Sequence, residues 1–189
     1  MNKEENSLEN SPSEAGGDIL SLLKKVTTFV FDVDGVLTDG FLSVLPNGVM
    51  ARRMNIKDGY ALQLAVKKGY NVVIISGGVS EDVMNRLQKL GVSAVFMGVE
   101  NKLETLEEYI LQHNISIDEV LFMGDDIPDL KVMQQVGLAC CPADAVLEIK
   151  EVSKYISPIN GGYGCGRDVI EKVLKLRGSW NDDTNIRSK

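Results

Sequence analysis

Two aspartates, Asp32 and Asp34, close an apolar run in FVFDVDGVLTDG, residues 29–40. Carboxylates this close repel unless something else shares their charge. Residues i and i+2 of an extended strand point to one side, so both can address one ligand. Other groups of the same kind follow. IISGG brings Ser76, Lys102 opens a helical segment, and MGDDIPD carries Asp125, Asp126 and Asp129. The set fits phosphoryl transfer. Asp32 would attack phosphorus and form an aspartyl phosphate. Asp34 would protonate the leaving alcohol, then deprotonate the water that releases phosphate. Mg²⁺ on Asp32 and Asp125 would offset the repulsion between carboxylates and phosphate oxygens. Ser76 would donate a hydrogen bond to a phosphoryl oxygen, and Lys102 would oppose the growing negative charge. Hydrolysis of phosphate monoesters calls for up to ~10²¹-fold acceleration, which accounts for so many charged groups in one place. Singly, each element has a plainer use: a strand-end Asp caps or turns, SGG turns, and a Lys coats a helix. The order and the elements together carry the reading.

Those groups need a scaffold that makes them converge. Apolar runs alternate with helical patterns from residue 20 to the last glycines. TTFVFDV, NVVIIS, AVFM, EVLFMG, LACC and KYIS read as strands. DGYALQLAVKKG, SEDVMNRLQKLG, NKLETLEEYILQHN, IPDLKVMQQVG, ADAVLEIKEV and GRDVIEKVLKLRG read as helices. ILSLLKKV is a short amphipathic lead-in, and GFLSVLPNGVMARRMNI a hairpin turning at PNG. This alternation predicts an α/β protein of three layers, with a parallel central sheet between helices. Ligands of such sheets bind beyond the carboxyl ends of the strands, where all the polar groups above fall. The expected division is a disordered tail over 1–17, a catalytic domain over 18–178 and a flexible tail over 179–189.

Composition narrows the chemistry. The 189 residues include 27 acidic and 20 basic ones, a net charge of −7. That argues against nonspecific binding to nucleic acid or an anionic membrane. No apolar stretch approaches the ~20 residues of a membrane helix, and residues 1–18 hold no secretory core. Three cysteines in no framework spacing indicate a reducing, cytoplasmic setting. The single histidine, His113, excludes a His-based triad and a His-rich zinc site. A metal here is a hard one on oxygen ligands, naturally Mg²⁺.

FDVDGVLTDG, IISGG, Lys102 and MGDDIPD resemble the four signature motifs of the haloacid dehalogenase (HAD) superfamily. The resemblance covers roughly residues 20 to 178 and implies a Rossmann-like fold. By matching position it makes Asp32 the nucleophile, Asp34 the acid/base, and Ser76, Gly77 and Lys102 the phosphate ligands. Asp125 becomes a metal ligand with Asp32 and the Asp34 carbonyl, and Asp126 or Asp129 supports the metal. Residues 40–75 and 102–124 have no room for a cap domain. DGVLTDG, the hairpin, NIKDGY and GCGRDV resemble the capless 3-deoxy-D-manno-octulosonate 8-phosphate (KDO 8-phosphate) phosphatases. That implies a sugar-acid phosphate as substrate, in lipopolysaccharide precursor synthesis. Adjacent Arg52 and Arg53 should face opposite sides. Arg52 is expected to meet the substrate carboxylate, with Lys57 and Thr38 as further contacts. Many capless relatives carry Arg after the SG or TG of the second motif, where this chain has Gly78.

Three rivals stay open. A sister phosphatase would take a nine-carbon sialic-type acid 9-phosphate. A receiver domain shares the acidic cluster, but is phosphorylated after its third strand, here AVFMG, which has no Asp. A regulatory relative would have lost one of Asp32 and Asp34. The missing cap implies enclosure by other means: hairpins of several copies pairing into a homotetramer with shared sites, and GGYGCGR (161–167) as a lid.

Overall fold

The computed structural model describes residues 14–181 and 183–186. Six strands form one parallel sheet in the order β5-β4-β1-β6-β7-β8. They are β1 (Thr28–Phe31), β4 (Asn71–Ile75), β5 (Ala94–Phe96), β6 (Val120–Met123), β7 (Leu138–Cys141) and β8 (Tyr155–Ile156). The remaining pair, β2 (Ser43–Val44) and β3 (Met50–Ala51), is the projecting antiparallel hairpin.

Register explains why the sheet is buried on both faces. Phe29 lies beside Val72 and Leu121, and Val30 beside Val73 and Phe122. Alternation sends Phe29, Phe31, Val72, Ile74, Leu121, Met123 and Cys140 to one side. There they pack on α1 (Glu14–Lys25), α2 (Ile56–Lys67), α3 (Glu81–Lys89) and α7 (Cys165–Leu176). Val30, Val73, Ile75, Phe122, Ala139 and Cys141 face α4 (Lys102–His113), α5 (Leu130–Met133) and α6 (Leu147–Val152). Each such aliphatic or aromatic side chain stabilises the fold by about 1.5–3 kcal/mol. The three-layer fold, with no cap domain among the described residues, is the one expected. Cys140, Cys141 and Cys165 are free and buried.

Side chains cap the starts of α3 and α4. Ser80 Oγ accepts from Val83 N, and Asn101 Oδ1 from Glu104 N, both in first turns. Several boundaries differ. The segment expected to be disordered includes Glu14–Gly17, which begin α1; its residues 1–13 lie outside the described residues. The helix expected over 127–137 is a tight turn, Ile127–Asp129, followed by four residues of α5. A reciprocal cap between Asp126 and Asp129, with Pro128 inside it, winds that start tightly. The helix expected from Ala143 begins at Leu147, because Ala143 and Asp144 are spent on the loop at 159–161. The expected boundary at 178 is crossed by contacts. Trp180 meets the Tyr60 ring edge-on, and Arg167 covers both rings. Asp183 accepts from Lys67. No described helix is long and apolar enough to cross a membrane.

Candidate active site

The carboxyl ends of three neighbouring strands open on one pocket of about 330 Å³. β1 delivers Asp32 and then a tight turn, Val33–Leu37, with Asp34 in it. β4 delivers Ser76, Gly77 and Gly78, and β6 delivers Asp125, Asp126 and Asp129. Lys102 reaches in from the first turn of α4, and Glu100 completes the rim. The turn needs Gly35: its φ is +89°, and a Cβ there would lie 2.0 Å from Asp125 Oδ2.

Lys102 is the cation of this pocket. Its Nζ lies 2.7 Å from Asp129 Oδ1 and 3.0 Å from Asp32 Oδ1. Burial works against its charge, but Asp32 and Asp129 together win and raise its pKa. Lys102 Nζ donates its hydrogen bond to Asp129 Oδ1; with Asp32 it makes an ion pair, and Asp32 Oδ1 is buried without a hydrogen-bond partner. Asp125 Oδ1 is likewise unpartnered. Burial, and then the charge of Asp129, pushes Asp32 up to about 6, Lys102 pulling the other way. Burial and the charges of Asp32, Asp129 and Asp126 push Asp125 up to about 8.

Oxygens of Asp32, Asp125 and Asp129 lie within 4.8 Å of one another. Two orphaned carboxylate oxygens in an all-oxygen donor set fit a hard divalent cation such as Mg²⁺. Asp129 is the least free of the three. Its Oδ1 holds Lys102, and its Oδ2 accepts from Asp125 N at 3.1 Å and Asp126 N at 3.5 Å. It therefore organises the turn that presents Asp125. Asp126 is exposed and caps the turn through Ile127 N. His113 stays on the surface, stacked on Tyr109.

The expected substrate contacts fare differently. Arg52 and Arg53 do diverge, Arg53 pairing with Asp39 and Arg52 with Asp34. Arg52 reaches Asp34 from the neighbouring groove that it lines, Nε donating to Oδ1 at 2.7 Å and Nη2 to Oδ2 at 3.0 Å. Thr38 is corrected: it is fully buried, and its hydroxyl serves the turn, accepting from Gly35 N and Gly40 N and donating to Asp34. Lys57 is exposed at the start of α2 and does not line the pocket. The loop expected as a lid is a brace beneath the site. A Cβ on Gly161 would fall 1.9 Å from Gly35 O, and Gly162 N bonds Val36 O at 2.9 Å. The pairing of NIKDGY with GCGRDV has a physical reason: Asp58 Oδ1 accepts from Arg167 N at 2.6 Å, tying α2 to α7. Sequence reasoning missed Glu100 and the Arg52–Asp34 pair; neither has a local signal.

A family profile for haloacid dehalogenase-like hydrolases matches residues 96–164. The 3-deoxy-D-manno-octulosonate 8-phosphate phosphatase of Escherichia coli K12 is 30% identical over 182 residues, 96% of this chain and 97% of that enzyme. The Moraxella catarrhalis enzyme of the same name was solved with magnesium, phosphate and KDO. It superposes with a TM-score of 0.82 at 31% identity, covering 85% of this chain and 92% of that one. The Yersinia pestis phosphatase gives 0.83 at 28% identity, covering 86% and 88%. With that identity over nearly the whole length of both chains and a common fold, this chain belongs to the 3-deoxy-D-manno-octulosonate 8-phosphate phosphatase family of haloacid dehalogenase-like hydrolases.

Proposed function

We propose that the chain is a Mg²⁺-dependent phosphatase that hydrolyses KDO 8-phosphate to KDO and inorganic phosphate. The observation that carries it is the convergence of Asp32, Asp34, Ser76, Lys102 and Asp125 on one pocket. Relatives of that name, one of them solved with magnesium, phosphate and KDO, supply the substrate.

Asp32 attacks phosphorus with a carboxylate oxygen as the bond to the sugar oxygen breaks. Asp34 gives that oxygen its proton, and an aspartyl phosphate remains on Asp32. Asp34 then takes a proton from water, which attacks phosphorus and frees the Asp32 carboxylate and phosphate. Ser76 and the Gly77 backbone hold phosphoryl oxygens, and Lys102 balances their charge. Asp32, Asp125 and the Asp34 carbonyl would hold a magnesium ion, whose positive charge would let phosphate and carboxylates share one pocket. Asp129 and Asp126 support Asp125 through the turn they cap. Lys57 belongs, on this reading, to the wall that a neighbouring copy presents. The assembly is a homotetramer with shared sites, and the compartment that fits three free, buried thiols is the cytoplasm.

Phosphate release from a panel of sugar phosphates tests this, with KDO 8-phosphate and a nine-carbon acid 9-phosphate side by side. Asp32→Asn should abolish turnover with the fold intact. EDTA should stop it and Mg²⁺ restore it. Turnover of the nine-carbon ester alone would reassign the substrate. Substantial activity in Asp32→Asn, checked for deamidation back to Asp, would sink the mechanism.

A further inference from the structure

Arg52 carries the hairpin into the site. Its side chain is 7% exposed, against 34% for that of Asp34, which it grips by two parallel hydrogen bonds. The grip needs Gly78. A Cβ there would stand 2.8 Å from Asp34 Oδ2 and 3.2 Å from Arg52 Nη2, between the partners. Nη1 makes one long contact, 3.5 Å, to Met50 O, so the fork formed by Nε and Nη2 is the part of the guanidinium that is firmly held. The other side of Arg52 lines a separate groove of about 400 Å³, together with Met50, Ile56 and the start of α3.

We propose that Arg52 is a positioning residue, acting on the reaction through Asp34 rather than by binding the substrate's carboxylate. The proposal rests on Asp34 being the acid/base of the phosphatase reaction. A carboxylate that must serve first the leaving oxygen and then a water has to present one oxygen in a fixed direction. A forked guanidinium fixes the plane of a carboxylate, whereas an ammonium fixes only a point. A substrate carboxylate seeking the same fork would have to displace Asp34 and leave it unheld. The hairpin thereby gains a part in turnover, because the strand that carries Arg52 sets where Asp34 points.

The test is steady-state kinetics with saturating Mg²⁺ on KDO 8-phosphate and p-nitrophenyl phosphate. The proteins are wild type, Arg52→Ala, Arg52→Lys, Gly78→Ala, Arg52→Ala/Gly78→Ala and Asp34→Asn, with thermal melts to confirm folding. Arg52→Ala should lower kcat on the sugar phosphate about 10- to 100-fold, the range a misplaced group costs, with KM within about twofold. The loss on the nitrophenyl ester should be smaller, because that leaving group needs no proton. Arg52→Lys should recover part of kcat. Gly78→Ala should lower kcat in the same pattern, and the double variant should lose less than the product of the single losses, since both changes act on one pair. If Arg52→Ala does not fold, Arg52→Lys and Gly78→Ala carry the test. A KM raised tenfold for the sugar-acid phosphate at unchanged kcat overturns the proposal in favour of substrate binding. Unchanged kcat in every Arg52 and Gly78 variant overturns it outright. Failure of the underlying reading is separate: wild type would release no phosphate from either ester, or Asp34→Asn would keep wild-type kcat.

Discussion

Asp125 shows how far the pocket is arranged for a cation at the expense of the metal-free fold. Burial and three acidic neighbours push it up to about 8, and one of its oxygens has no partner. Neutralising it should relieve that repulsion. Asp125→Asn is expected to raise the Tm of the EDTA-treated protein by a few degrees, the shift that ~1 kcal/mol produces at this size. It should also lose the further rise that Mg²⁺ gives wild type. Scanning calorimetry with EDTA and with Mg²⁺ checks both, and a destabilised variant that still responds to Mg²⁺ contradicts the assignment. Gly35 is the companion case. With φ at +89° and Asp125 Oδ2 only 2.0 Å from a built Cβ, Gly35→Ala should cost about 1 kcal/mol or more in urea titrations. It should also abolish the Mg²⁺-induced rise in Tm.

Asp58 ties α2 to α7 and thereby supports the loop beneath the catalytic turn. It is 2% exposed; burial raises it from 3.8 to about 6, although the Arg167 N–H and charge pull it down. A carboxyl raised in the fold binds its proton more tightly there than in the unfolded chain. Its contribution is therefore full below about pH 4 and lost as pH rises through 6, up to about 3 kcal/mol. Asp58→Asn keeps an acceptor for Arg167 N and removes the charge. Urea unfolding with EDTA at pH 4.5 and 7 should show a smaller loss of stability in the variant than in wild type; equal losses would mean Asp58 titrates normally. How much of this order could be read from the chain varies with range. Continuously apolar strands and helices that open on Ser80 and Asn101 are local patterns, and their bounds agree with the sequence reading within a residue or two. The convergence of Asp32, Ser76, Lys102 and Asp125 was readable because a parallel sheet delivers every strand end to one edge. The glycine-rich segment 161–167 reads in sequence as a lid because its packing lies in a backbone approach across the fold, which Gly161 permits but does not announce. Thr38 is a case of the same kind: a hydroxyl spent inside a turn looks, in sequence, like one free for a ligand.

The molecule as a whole leaves its hairpin unfinished. β2 and β3 pair over only two residues each, with Thr38 and Met54 bridging at the base. Phe41 and Val44 are 78% and 75% exposed, and Leu42, Leu45, Val49 and Met50 are open to water beside them. A lone hairpin of this length is marginal, and a contiguous apolar patch marks a surface that a partner covers. Burying such a Phe or Val contributes about 1.5–3 kcal/mol, so covering several from each copy favours association. Hairpins from four copies packed together would hide them and wall each pocket with a neighbour. The same packing would set the strand that carries Arg52, joining assembly to the direction of Asp34. Light scattering at assay concentration should therefore report a tetramer of the 20.7 kDa chain. Phe41→Lys with Val44→Lys places charge on side chains that are exposed in the single chain, so each copy should keep its fold while the assembly dissociates. The dissociated variant should lose most of its kcat on the sugar-acid phosphate and keep more of it on p-nitrophenyl phosphate, which needs neither the neighbour's wall nor a proton for its leaving group. A monomer with full activity on both esters would refute the shared site.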